Sequence, residues 1–130
     1  MSDSDDITTE RLMERLSVYA RGISMALSSL PIPIELPHGD GVSLIKDFMP
    51  AVIRAYEIVD EQPIPEEQQA VACTALLHWV AAAELVIAFA VSTAQHRADG
   101  ALLNMMCGEP LLADLIEWLV DPEGGEHPQD

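Results

Sequence analysis

The stretch EEQQAVACTALLHWVAAAELVIAFAVSTAQHR, residues 66–97, decides the fold of this chain. The one formal charge between Gln68 and His96 is that of Glu84. Pro65 stands directly before the stretch, where proline favours the first turn of a helix. We predict one helix over 66–97, about 45–50 Å long. Because this helix is apolar on nearly every side, we expect it to be the central helix of a bundle or half of a dimer interface.

The same stretch is long enough to cross a bilayer. Glu84 would then lie near the middle of the membrane, where an acidic side chain costs about 2.5 kcal/mol or more. Alanine rather than leucine dominates the stretch, and alanine supplies little insertion energy. We therefore predict a buried helix of a soluble protein that does not contact a membrane, rather than a transmembrane helix.

Apolar residues recur at helical spacing before this stretch as well. The spacing predicts a helix over 7–30, which Pro31 ends, and a second helix over 43–60. Pro50 lies inside the second helix and requires a kink or break there, because proline cannot donate a backbone hydrogen bond. The apolar stripe of the first helix comprises Leu12, Leu16, Tyr19, Ile23, Ala26 and Leu30.

Glycine and proline divide the chain after the long helix. Gly100 and Gly108 bracket a short predicted helix over 101–107, and Pro110 is suited to begin a last helix that ends at Val120. The predicted fold is therefore all-α: a helical bundle of four main helices plus a short helix, built around one long apolar central helix. Residues 7–120 form its single domain, while 1–6 and 121–130 are predicted to be flexible acidic tails.

The sequence PIPIELPHGDG, residues 31–41, is the one substantial loop of this predicted bundle. Its three prolines favour an extended, polyproline-like backbone, and the segment ends in a turn over 38–41. Loops carry binding and catalytic residues more often than helices do. The role of this loop is left open by its sequence.

Charge and cysteine content restrict the classes of function. The chain has 22 acidic and 6 basic residues, which gives a net charge of -16. This balance disfavours direct binding of nucleic acid or of an anionic membrane surface. Cys73 and Cys107 lie in apolar stretches without metal-binding spacing, so we predict two reduced, buried thiols. With no signal peptide at the N-terminus, a cytoplasmic location is expected.

Glu84 is the strongest candidate for chemistry. On a helical wheel it shares a line with Cys73, Leu77, Val80, Ile87, Val91 and Gln95, and the apolar neighbours on that line predict that it is buried. A desolvated carboxyl group can act as a general acid or base, with His78 or Tyr56 to orient or polarise a substrate. The alternatives are an exposed Glu84 or an ion-paired one, and a His78 that is a hydrogen-bonded core residue.

A second set of candidates would line an apolar cavity between the helices and the loop: Met49, Phe89, Met105, Met106 and His38. Methionine adapts to irregular ligands, and small bundles bind ligands between helices. Core packing of the methionines is the alternative. The sequence contains no Gly-rich phosphate loop, no G-x-S-x-G motif and no zinc-finger spacing, so we predict no cofactor and no metal.

Three functions remain open on these residues. The first is a binding module, homodimeric through the long helix, that binds a protein partner or an apolar small molecule. The second is a small cofactor-free isomerase, lyase or cyclase that uses Glu84. The third is an acidic inhibitor or nucleic-acid mimic that occupies a basic protein partner. The sequence does not identify the ligand, the partner or the oligomeric state.

Overall fold

A computed structural model describes residues 8–122, and the regular secondary structure in this range is all helical. The four helices are α1 (Thr9–Ser28), α2 (Met49–Ile58), α3 (Glu66–Ser92) and α4 (Gln95–Val120). A π-helical turn, Leu44–Phe48, precedes α2 and a 3₁₀ turn, Val59–Glu61, follows it. The predicted all-α bundle with a long central helix is confirmed. The tail predicted over 1–6, and residues 123–130 of the tail predicted over 121–130, lie outside the described residues.

Helix α1 forms as its sequence predicts. Thr8 caps it, since its hydroxyl oxygen accepts a hydrogen bond from the Arg11 N–H at 3.1 Å. The whole predicted stripe from Leu12 to Leu30 is buried, although the helix itself ends at Ser28.

Pro50 causes the predicted discontinuity before α2. Proline has no N–H, and its ring clashes with the carbonyl group four residues earlier in a regular α-helix. Here the chain widens into the π-helical turn, in which the Met49 N–H donates to the Leu44 carbonyl oxygen, five residues back. A regular α-helix begins only at Met49.

Helix α3 ends five residues earlier than predicted. Thr93 adopts a left-handed backbone conformation with φ 53°, and its N–H donates to the Phe89 carbonyl oxygen at 2.7 Å. The Arg97 guanidinium group donates to the Ala88 carbonyl oxygen at 3.3 Å and to the Ser92 hydroxyl. Arg97 therefore supplies hydrogen-bond donors and a positive charge to the C-terminal end of α3, and α4 follows after a short turn. The prediction of one helix over 66–97 is therefore wrong at its C-terminal end.

Helix α4 is continuous, so the predicted division into a short helix and a last helix is wrong. A Cβ atom on Gly108 would lie 1.8 Å from the Tyr19 hydroxyl oxygen, and one on Gly100 would lie 3.0 Å from Leu85 Cδ1. The two glycines therefore allow neighbouring helices to pack closely against α4, and they do not end a helix. Pro110 lies inside α4 and has no N–H to donate to the carbonyl oxygen of Met106, four residues earlier. Both residues are exposed, so this carbonyl group is accessible to water.

The core is centred on Trp79 of α3, which is fully buried. Its indole N–H donates to the Leu16 carbonyl oxygen at 3.0 Å, and its ring meets Phe48 edge to face with centroids 5.3 Å apart. The Tyr19 hydroxyl donates to the Ala75 carbonyl oxygen at 2.5 Å. These contacts hold α1 and the π-helical turn against α3.

The proline-rich segment 31–41 is fixed to the bundle by Gln62. This side chain is buried, and its amide both donates to the Ile32 carbonyl oxygen at 2.7 Å and accepts from the Ile32 N–H at 3.0 Å. The Ile34 N–H donates to the Leu27 carbonyl oxygen at 2.9 Å. The segment is thus an ordered wall of the bundle.

Candidate binding groove

Helix α3 is apolar on two sides, and only one of them is fully covered. Its outer face is defined here as Cys73, Leu77, Val80, Glu84, Ile87 and Val91. The first and third of these residues are half-buried against the core, and the other four are exposed. Leu77 is 46% exposed, Ile87 38% and Val91 81%. By length and composition α3 is able to cross a membrane, with mean hydropathy 1.9 over an 18-residue window of which 39% is buried. An exposed apolar face of this kind is typical of an interaction site.

Glu84 lies on this outer face and is exposed, so the prediction that it is buried is wrong. It has no ion-pair partner among residues 8–122. The apolar line on the helical wheel was identified correctly, but Glu84 lies on its exposed part, with Leu77, Ile87 and Val91. The prediction failed because a helical wheel does not specify which side of a helix is covered. The desolvation on which a role as general acid or base depended is therefore absent.

Within residues 8–122, the three proposed catalytic residues lie in different surroundings. His78 is half-buried, and its Nδ1 lies 2.9 Å from Asn104 Oδ1, which links α3 to α4. Tyr56 is half-buried and packs against the core from α2. None of Glu84, His78 and Tyr56 lines the groove described below or the two smaller cavities near it.

Of the five residues predicted to line an apolar cavity, four line neither the groove described below nor the two smaller cavities within residues 8–122. Met105 and Phe89 are core residues, and Met49 packs against the core. Met106 is 56% exposed. Only His38 lines one of the cavities.

Both cysteines are free, but they are not equally buried. Cys73 is half-buried on the outer face of α3, where desolvation and the nearby Asp60 carboxylate raise the pKa of its thiol. Cys107 is exposed, so the prediction of two buried thiols is wrong for this residue.

A groove that the sequence did not reveal lies between α1, the turn before the π-helical segment, and the C-terminal half of α3. This α1/α3 groove has a volume of about 720 Å³, which is within the usual range for ligand sites. Its apolar lining comprises Met13, Val42, Ile45, Val86, Ile87, Ala90 and Val91. Ile87 and Val91 also belong to the outer face of α3, so the groove and that face form one continuous apolar surface.

The turn at the edge of the groove is held by Ser43. Its hydroxyl oxygen accepts from the Asp40 N–H at 2.9 Å and donates to the Asp40 carbonyl oxygen at 2.8 Å. Gly41 has φ 59°, a conformation that glycine adopts without strain. These constraints place Val42 and Asp40 at the groove in a fixed arrangement.

The border of the groove is acidic. Glu10, Glu14 and Asp40 line it, together with the hydroxyl residues Thr9 and Ser17, and the lining contains no basic residue. An apolar surface bordered by carboxylates favours a ligand that combines an apolar body with positive charge.

No group of three or more metal-ligating side chains occurs between residues 8 and 122. The chain matches no protein-family model, no curated protein and no solved structure. The groove and the outer face of α3 are therefore the basis for its functional interpretation.

Proposed function

We propose that this chain is an interaction module that binds a basic amphipathic helix of a protein partner. The observation that carries the proposal is the continuous apolar surface of the α1/α3 groove and the outer face of α3, bordered by carboxylates. The geometry supports binding better than catalysis, because Glu84 is exposed on this surface.

The dimensions of the surface favour a helix. The outer face runs from Cys73 to Val91 at alternating spacings of three and four residues, which is the pattern of a helix-packing stripe. At 1.5 Å per residue this distance is about 27 Å, the length of five helical turns. An amphipathic helix laid along such a stripe is a common mode of peptide recognition.

Charge favours a basic partner over a second copy of this chain. Each copy carries a net charge of -16, so a homodimer would bring two strongly acidic chains together. Lysine or arginine residues flanking an apolar helix face would instead meet Glu84 and the three carboxylates of the groove. The homodimer predicted from the sequence is therefore the less favoured occupant.

A pair of designed peptides tests this proposal. Each has about 18 residues, the length that spans 27 Å, with one leucine face and a remaining surface of either lysine or glutamate. We expect the leucine–lysine peptide to bind, as measured by fluorescence anisotropy, and the leucine–glutamate peptide not to bind. Binding should weaken between about 0.1 M and 1 M salt, because the Debye length falls from about 10 Å to about 3 Å.

Two matched variants locate the binding site. Val91 is 81% exposed on the proposed surface, and Val120 is 80% exposed at the end of α4. Val91→Lys should weaken peptide binding at least about tenfold, since it removes apolar contact worth 1.5 kcal/mol or more and adds a like charge. Val120→Lys changes the net charge equally and should leave affinity unchanged.

Equal binding by the two variants would refute the proposed site, because the interaction would then depend on net charge alone. Analytical ultracentrifugation of the free protein tests the competing occupant. A dimer that Val91→Lys dissociates and Val120→Lys does not would show that the surface binds a second copy instead.

A further inference from the structure

A smaller cleft lies on the other side of the Asp40 turn. It has a volume of about 450 Å³ and opens between α1 and the end of the proline-rich segment. We call it the His38 cleft; its lining comprises Ala20, Arg21, Ser24, Leu36, Pro37, His38, Gly39, Asp40 and Phe48. Unlike the α1/α3 groove, it contains a basic side chain.

One wall of the His38 cleft, the turn at Gly39, is packed on the core. A Cβ atom on Gly39 would lie 2.9 Å from Phe48 Cβ, so the backbone of the turn is packed directly on the core. Ser43 closes the same turn through its hydrogen bonds to Asp40, and Gln62 anchors the preceding segment at Ile32. Preformed walls reduce the entropic cost of binding a ligand.

Three polar side chains border the cleft without a partner in the protein. Arg21 and Ser24 are one turn apart on α1, and His38 lies on the facing segment. Within residues 8–122 none of the three makes a side-chain hydrogen bond or an ion pair, and Asp40 does not pair with Arg21 or His38. By contrast, Arg15 forms a two-point ion pair with Glu109 and Arg97 caps α3.

We infer that the His38 cleft is a binding site for a small organic carboxylate with an apolar body. The guanidinium group of Arg21 presents the forked donor pair that matches a carboxylate, and the Ser24 hydroxyl supplies a further donor. Leu36, Pro37 and Phe48 provide the apolar surface for the rest of the ligand. This site is independent of the proposed binding of a basic helix.

The overall charge of the chain selects a monoanion over a dianion. A net charge of -16 opposes any anion, and it opposes a dianion twice as strongly. Arg21 is the one arginine in the lining and offsets a single negative charge, while the Asp40 carboxylate in the same lining adds to the opposition to a second one. A carboxylate therefore fits this cleft better than a phosphate monoester.

Titrations with three probes, followed by backbone amide shifts in NMR spectra, test this inference. The probes are benzoate, its neutral analogue benzamide, and phenyl phosphate. Benzoate should bind saturably and shift the amides of Arg21, Ser24 and residues 38–40. Benzamide and phenyl phosphate should each bind at least about tenfold more weakly, the first for lack of charge and the second for excess charge.

Matched arginine variants complete the test. Arg21→Gln should weaken benzoate binding at least about tenfold, whereas Arg11→Gln, which removes an exposed arginine of the same helix outside the cleft, should leave it unchanged. Equal affinity of the two variants, equal binding of benzamide, or shifts confined to another part of the chain would each refute the site. Tighter binding of phenyl phosphate would refute the assignment to carboxylates.

Discussion

The close contact between α1 and α4 at Gly108 gives the most direct test of the bundle. A Cβ atom at this position would lie 1.8 Å from the Tyr19 hydroxyl oxygen and 2.8 Å from His78 Cβ. Neither neighbour moves freely, because the Tyr19 hydroxyl is bonded to the Ala75 carbonyl oxygen and His78 Cβ is anchored to α3. Gly108→Ala must therefore displace the tyrosine ring or separate the helices.

The net cost follows from three contributions of known size. Overpacking a well-packed core costs about 1–3 kcal/mol, and loss of the Tyr19 hydrogen bond costs about 0.5–1.5 kcal/mol. Alanine is favoured over glycine inside a helix by about 1 kcal/mol, which offsets part of this loss. We expect Gly108→Ala to lower the free energy of unfolding by about 2 kcal/mol.

Gly100→Ala is the matched control in the same helix. The atom nearest to its Cβ atom would be Leu85 Cδ1, at 3.0 Å, which is the end of a flexible side chain. The gain in helix propensity should then leave this variant as stable as the parent protein, or more stable by up to about 1 kcal/mol. Urea unfolding followed by circular dichroism compares the two variants.

The Tyr19→Phe background tests whether the hydroxyl is the cause. It removes the atom at 1.8 Å but keeps the ring carbon, which lies 2.8 Å from the added Cβ atom. Gly108→Ala should therefore cost less in this background, by about 1 kcal/mol, in a double-mutant cycle. Equal stability of the Gly100→Ala and Gly108→Ala variants, or the absence of coupling to Tyr19, would refute this description of the contact.

Two further predictions concern pH and the proline-rich segment. Burial, with the charges of Glu109 and Cys107, raises the pKa of Tyr19 well above its ordinary value near 10, so the native state keeps a proton that the unfolded chain releases. Stability should fall above about pH 10 more steeply in the parent protein than in Tyr19→Phe, and parallel urea-unfolding profiles would contradict this. Gln62→Ala leaves the N–H and the carbonyl group of Ile32 without their partner, and it should lower the free energy of unfolding by about 1–3 kcal/mol. The Ile32 amide should also exchange its hydrogen faster. Gln68→Ala, which removes no hydrogen bond, should leave the free energy of unfolding unchanged.

Features set by local chemistry were predicted well from the sequence. The stripe of α1 follows from helical spacing alone, and the break at Pro50 follows from a missing N–H and a steric clash. The all-α class follows from the same patterns. The form of the break, a π-helical turn over Leu44–Phe48, was not predicted, because the missing N–H of Pro50 requires a discontinuity but does not specify its geometry.

Features set by tertiary packing were predicted poorly. Gly100 and Gly108 were predicted to mark helix ends, yet both lie inside α4. There the missing Cβ atom leaves space for the side chains of Leu85 and Tyr19, respectively. The end of α3 at Thr93 also had no sequence signal, because threonine is not a usual left-handed residue. The two grooves depend on which helices are neighbours, and helical periodicity does not contain that information.

The position of Glu84 in the sequence indicates which side of α3 the rest of the chain covers. The helix has two apolar lines, and Trp79 lies on one while Glu84 lies on the other. An unpaired carboxylate is costly to bury, whereas a tryptophan that finds a hydrogen-bond partner gains from burial. The line that contains the single charge must therefore be the free one. Leu77, Glu84, Ile87 and Val91 on that line are exposed, and they form the part of the surface on which we propose that a basic helix binds.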